Sequence, residues 1–142
     1  MVTAQGVPQR INLTNSCLNN PVANDPAVQA QALRMLERSV SGNPAGAAEW
    51  AFHVAVPYVG SGNWIGPLFT EGRRSEISGD LIAREAPWGV ANLLTGYYPL
   101  TTLVHSHPSS DPPSRLSRAD LNLGQPVIAV DRAGNMFCSV SQ

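Results

Sequence analysis

The stretch YPLTTLVHSHP, residues 98–108, decides how the chain is read. Apolar and β-branched residues run from Leu100 to Ser106, and Pro108, which has no N–H to give to a ladder, closes the run. The pattern predicts a strand over about residues 100–106, the clearest in the chain. Side chains at i and i+2 of a strand leave the same face, so His105 and His107 point together. Two imidazoles so spaced can grip one cation.

Downstream, SSDPPSR (109–115) reads as a loop, and Ser117 starts a short helix that ends near Gly124. PVIAV, the turn DRAGN and MFCSV then form a terminal β-hairpin. Upstream, EWAFHVAVPYVG (49–60) reads as a strand that stops at Pro and Gly. NWIGPLFTEG (63–72) reads as a second strand, interrupted at Gly66-Pro67. Residues 70–98 are compatible with a strand near 75–78 and a helix or loop near 80–95. A helix begins at Pro26, with Asp25 as its cap. Val28, Ala32, Leu36 and Val40, with Leu33 beside them, form its apolar stripe, and Arg34, Glu37 and Arg38 its other side. Gly42-Asn43-Pro44 stops it. Residues 1–24, rich in Asn, Thr, Ser and Pro, read as an N-terminal arm or linker, and residues 25–142 as one domain. The order of elements favours an α/β (α+β) fold around a mixed β-sheet flanked by helices.

The 142 residues suffice for one buried core. Apolar residues make up 43% and charged ones 13%, which excludes a disordered chain. Nine basic residues against ten acidic ones leave no electrostatic footprint for nucleic acid. No run approaches the ~20 apolar residues of a membrane span. The first residues lack the charged-then-apolar plan of a signal peptide. Cys17 and Cys138, far apart in sequence, read more simply as two unpaired thiols than as a bridge.

The His pair asks for a third ligand, since a catalytic zinc usually takes three protein ligands and leaves a position for water. Asp120 is the natural candidate, near the start of a helix after a loop long enough to fold back. Ser117 occupies that helix's N-cap, where its hydroxyl can bind the Asp120 amide and fix the first turn. Zinc (Zn2+) held this way lowers the pKa of bound water from about 15.7 toward 7. Amide cleavage also needs a base that is not a ligand. Glu49, Glu71, Glu76 and Glu85 are the upstream candidates. Glu49 stands where the first strand begins, and Glu71 is the reserve.

His-x-His, a loop, Ser-x-x-Asp, and a Glu far upstream at the first strand together resemble the signature of the JAMM (MPN-plus) metalloproteases. HSHP, with Pro after the second His, also matches many members. Carried over by motif position, the resemblance implies that His105, His107 and Asp120 bind zinc, that Glu49 is the general acid–base, and that Ser117 stabilises the oxyanion. It implies a JAMM/MPN-like, cytidine-deaminase-like fold over about residues 49–140. The chain departs from the family in two places. Residues 108–116 make a longer spacing than is usual before the Ser, and Asp111-Pro112-Pro113 reads as a loop insertion of modest entropic cost. Trp50, Ala51 and Phe52 follow Glu49, where members often have small residues or glycine. The nearest likeness is to bacterial JAMM-like domains, including those at the C-terminal ends of Rhs-type polymorphic toxins.

Other His-x-His chemistries each lack a required partner here. Amidohydrolase barrels run to about 250 residues. Histidine-triad hydrolases need a further alternating His, but residue 109 is Ser. Cupins need a His after the pair, and zinc deaminases a Cys-x-x-Cys; neither is present. His53, Trp50, Trp64 and Trp88 read as structural, Asp111 as a turn residue, and the helix at 26–40 as scaffold. The expected function is therefore that of a zinc-dependent peptidase or isopeptidase. Its substrate would be a peptide bond, an isopeptide bond in a ubiquitin-like conjugate or a peptidoglycan cross-link. An effector setting adds an immunity protein as partner, with action in the bacterial cytoplasm or after delivery by a secretion system. The alternative is a non-enzymatic MPN-like protein-binding module.

Overall fold

The helix α1 (Pro26–Val40) begins as the sequence predicts. The Ala27 amide donates to Asp25 Oδ1 at 2.9 Å, which satisfies one of the amides that a helix start leaves open. Asp25 Oδ2 also accepts from Asn63 Nδ2 at 2.8 Å, tying the helix start to the segment ahead of the third strand. Val28, Ala32 and Leu36 of the expected stripe are buried, and Met35 joins them, whereas Leu33 is half-buried. Each large apolar side chain so buried contributes about 1.5–3 kcal/mol.

The computed structural model describes residues 8–40, 49–56, 62–70, 82, 102–107 and 126–139. Glu71, Ser117 and Asp120, and the elements expected near 75–78, 80–95 and 117–124, lie outside the described residues.

Seven strands are described: β1 (Asn12–Leu13), β2 (Trp50–Ala55), β3 (Trp64–Ile65), β4 (Phe69–Thr70), β5 (Thr102–His107), β6 (Val127–Asp131) and β7 (Asn135–Cys138). They form one mixed sheet in the order β1-β7-β6-β5-β2-β3, with β4 also on β2. The architecture is mixed α/β, compatible with an α+β fold. The interruption expected at Gly66-Pro67 separates β3 from β4, and the terminal hairpin is β6–β7. Gly134 serves its turn at φ +89°, where a Cβ would stand 2.9 Å from the Arg10 carbonyl oxygen.

The central strand is β5. It runs antiparallel to β2, with Ala51 opposite His105, and parallel to β6, with His105 opposite Ala129. Alternation divides its side chains. Val104 joins the core beneath α1, together with Phe52, Val54, Ile128 and Val130. Leu103 faces the other way, with Ala51, Phe69 and Ile82. His105 and His107 share the parity of Leu103.

Two expectations change. Cys17 and Cys138, read as unpaired thiols, form a disulfide, with S–S 2.02 Å and Cα–Cα 5.2 Å. The cause is the pairing of β1 with β7, Leu13 opposite Met136, followed by a 3-10 turn over Asn15–Cys17. That turn lowers Cys17 onto the end of β7, where the Cys138 amide donates to Ser16 Oγ at 3.0 Å. The chain before Asp25, read as an arm or linker, thus supplies a strand, and Cys17, Val22 and Ala23 join the core from residue 17 on. Among the described residues no helix is long and apolar enough to cross a membrane.

Candidate metal and acid–base site

The two strand histidines converge. His105 is 1% exposed and His107 half-buried at the C-terminal end of β5. Their Nε2 atoms lie 3.0 Å apart and their rings meet edge-on, at 64° and 4.8 Å between centroids. Such an approach suits one donor and one acceptor nitrogen, or two lone pairs directed at a common cation. Two nitrogens on one tetrahedral zinc, each about 2.0–2.1 Å from it, stand about 3.3 Å apart. The observed 3.0 Å is a few tenths of an ångström shorter, compatible with that arrangement and equally with one hydrogen bond between the two rings.

Glu49 immediately precedes β2 and is half-buried. The β2–β5 register ends at Ala51↔His105, so Glu49 stands two residues beyond the last pair of that ladder. Trp50, the next residue, packs against the α1-side core.

Ser106 is the residue whose part the sequence reading missed. It lies between the histidines and takes the opposite face, fully buried. Its hydroxyl donates to Ser39 Oγ of α1 at 3.2 Å and accepts from the Trp50 amide at 3.0 Å. Thr70 was also missed; its hydroxyl donates to the Glu49 carbonyl oxygen at 2.6 Å. A small hydroxyl residue between two histidines is the one sequence signal that pointed to Ser106.

The remaining polar groups near β5 have structural work. His53 is buried, stacks on Phe69 at 5.6 Å between ring centroids, and places Nε2 2.8 Å from the Ile82 carbonyl oxygen. Because a carbonyl only accepts, Nε2 of His53 carries the proton. Asp131 stands opposite His107 on β6, but its carboxylate accepts from the Asn135 amide at 2.9 Å and from Asn135 Nδ2 at 3.0 Å. It closes the hairpin. Among the described residues no three His, Cys, Asp or Glu side chains group closely enough to hold a metal. The third ligand expected from sequence, Asp120, falls within the connection that leaves β5 after His107 and returns to β6. Parallel neighbours such as β5 and β6 require a crossover of this kind.

No family model matches the chain, and neither the curated proteins nor the solved structures contain a significant match.

Proposed function

We propose that the chain is a zinc-dependent peptidase or isopeptidase of the JAMM type, with His105, His107 and Asp120 as metal ligands, Glu49 as acid–base and Ser117 at the oxyanion. The observation that carries this reading is the 3.0 Å approach of the two Nε2 atoms at the end of the central strand, next to the strand that Glu49 immediately precedes. Bound zinc would supply a Lewis acid that brings water toward ionisation near neutral pH. Glu49 receives the proton of the attacking water on its carboxylate and gives it to the departing amine nitrogen. Ser117 donates a hydrogen bond to the carbonyl oxygen as charge gathers there. The substrate class is a protein or peptide amide.

The Cys17–Cys138 bridge supports a protein that matures in an oxidising compartment, in keeping with a delivered effector and its immunity partner. The near balance of charge supports a partner other than nucleic acid.

Metal analysis of the purified chain tests the reading. About one zinc per chain is expected, falling to background in His105→Ala, His107→Ala and Asp120→Ala. Glu49→Gln should keep the metal and lose hydrolysis. A chain that binds no zinc would instead be an MPN-like binding module, and full activity in Glu49→Gln with none in Glu71→Gln would move the base to Glu71.

A further inference from the structure

The carbonyl of Glu49 and the amide of Trp50 belong to one peptide unit, and that unit is held at both ends by side-chain hydroxyls from two different strands. On the β4 side, Thr70 Oγ1 donates to the carbonyl oxygen at 2.6 Å. On the β5 side, Ser106 Oγ accepts the amide hydrogen at 3.0 Å. The plane is therefore gripped along its carbonyl-to-amide direction. Rotating it about the flanking bonds would break both contacts at once, in a place where the Ser106 hydroxyl is fully buried and has no water to replace them. Ser106 is itself oriented by Ser39 on α1, so the grip is anchored in the core.

The clamp sits at a point where it matters. The β2–β5 backbone pairing ends at Ala51↔His105, one residue before the clamped peptide. On its other side Trp50 is paired with Thr70 of β4, so what the clamp adds is the tie across to β5. With it, the Cα of Glu49 is fixed relative to β5, the strand that bears both imidazoles. Misplacing an acid–base group by about 1 Å is enough to lose much of its effect.

We propose that Thr70 and Ser106 are positioning residues that hold Glu49 at the metal site through the Glu49–Trp50 peptide. This rests on the reading of Glu49 as the proton carrier beside a metal. Cobalt(II) is the probe, because its visible spectrum responds to the hydrogen bonding of its bound water. The full chain is loaded with cobalt and its spectrum compared with those of Glu49→Gln, Thr70→Val, Ser106→Ala and the double variant Glu49→Gln/Thr70→Val. Thr70→Val is the decisive single change, since Thr70 is only half-buried, keeps its shape as Val and lies on the far side of Glu49 from β5. It remains informative if Ser106→Ala fails to fold.

Cobalt stoichiometry should be unchanged in Thr70→Val, and its spectrum should move in the same direction as that of Glu49→Gln by roughly half or more. The double variant should move no further than Glu49→Gln alone, because residues that act through one another are not additive. Thr70→Ser and Ser106→Thr, which keep the hydroxyls, should restore the wild-type spectrum. A Thr70→Val spectrum superimposable on wild type while that of Glu49→Gln is displaced overturns the clamp and leaves the site reading intact. Shifts that add in the double variant overturn it likewise. Absence of cobalt binding, or a silent Glu49→Gln, overturns the site reading and the clamp with it.

Discussion

Ala51 faces His105 across the β2–β5 ladder, and Ala129 faces the same imidazole from β6. A buried aromatic ring thus has a methyl group as its neighbour on each flanking strand. Directly opposed Cβ atoms in a sheet are about 4.5–5.5 Å apart, so larger residues there would crowd the ring. Ala129→Leu and Ala51→Leu should each destabilise the fold by about 1–3 kcal/mol, the usual cost of overpacking. Thermal unfolding measures that cost. Both variants should also bind zinc more weakly than wild type, because the displaced ring is His105. Unchanged zinc affinity would mean that the alanines serve packing alone.

Zinc should stabilise the native chain. A ligand at about 100 times its Kd adds about 2.7 kcal/mol. The unfolding temperature should therefore rise on adding zinc to the stripped wild type and stay level for His107→Ala. His53→Phe is the contrasting case. It removes the hydrogen bond to the Ile82 carbonyl, so it should lower stability by about 1–3 kcal/mol while leaving zinc stoichiometry at the wild-type value.

The bridge between Cys17 and Cys138 closes a loop across a sequence separation of 121. The chain-entropy estimate for a loop of this size is about 4–5 kcal/mol. Unfolding free energies from denaturant titrations with and without a reductant should differ by an amount near that value, as should those of wild type and the double variant Cys17→Ala/Cys138→Ala. A difference below about 1 kcal/mol would show that β1 and the core around Val22 hold the N-terminal segment without it.

Asp25 carries both the cap of α1 and the hydrogen bond to Asn63. Asp25→Ala should cost about 0.5–2 kcal/mol, and Asp25→Asn, which keeps a capping oxygen, much less. Equilibrium unfolding distinguishes the two.

The elements with strong local signals were legible in the sequence. α1 has an Asp-Pro start and a four-residue apolar spacing, β5 a β-branched run closed by Pro108, and the β6–β7 hairpin an Asp-Arg-Ala-Gly-Asn turn. The break at Gly66-Pro67 was legible because Pro67 gives no amide to a ladder. β1 was not legible. Asn12–Leu13 is two residues long and takes its strand geometry from β7, more than a hundred residues away. The disulfide was hidden for the same reason, since nothing local to Cys17 or Cys138 announces the parallel pairing that joins them. Of the candidate site, the i, i+2 rule foretold the meeting of the imidazoles. The flanking alanines and the clamp on Glu49 depend on cross-strand register, which no single segment encodes.

The covalent link from the turn after β1 to the end of β7 also decides where mechanical load would travel. Traction on the two ends of the described chain would pass from Cys17 directly to Cys138, and the residues between them, β2 and β5 included, would carry no tension. An oxidised molecule drawn through a narrow channel by one end, or pulled from both, would keep its central strands in place. Single-molecule stretching would then lengthen it only by the segments outside the bridge, until a reductant opened the bond and released the rest.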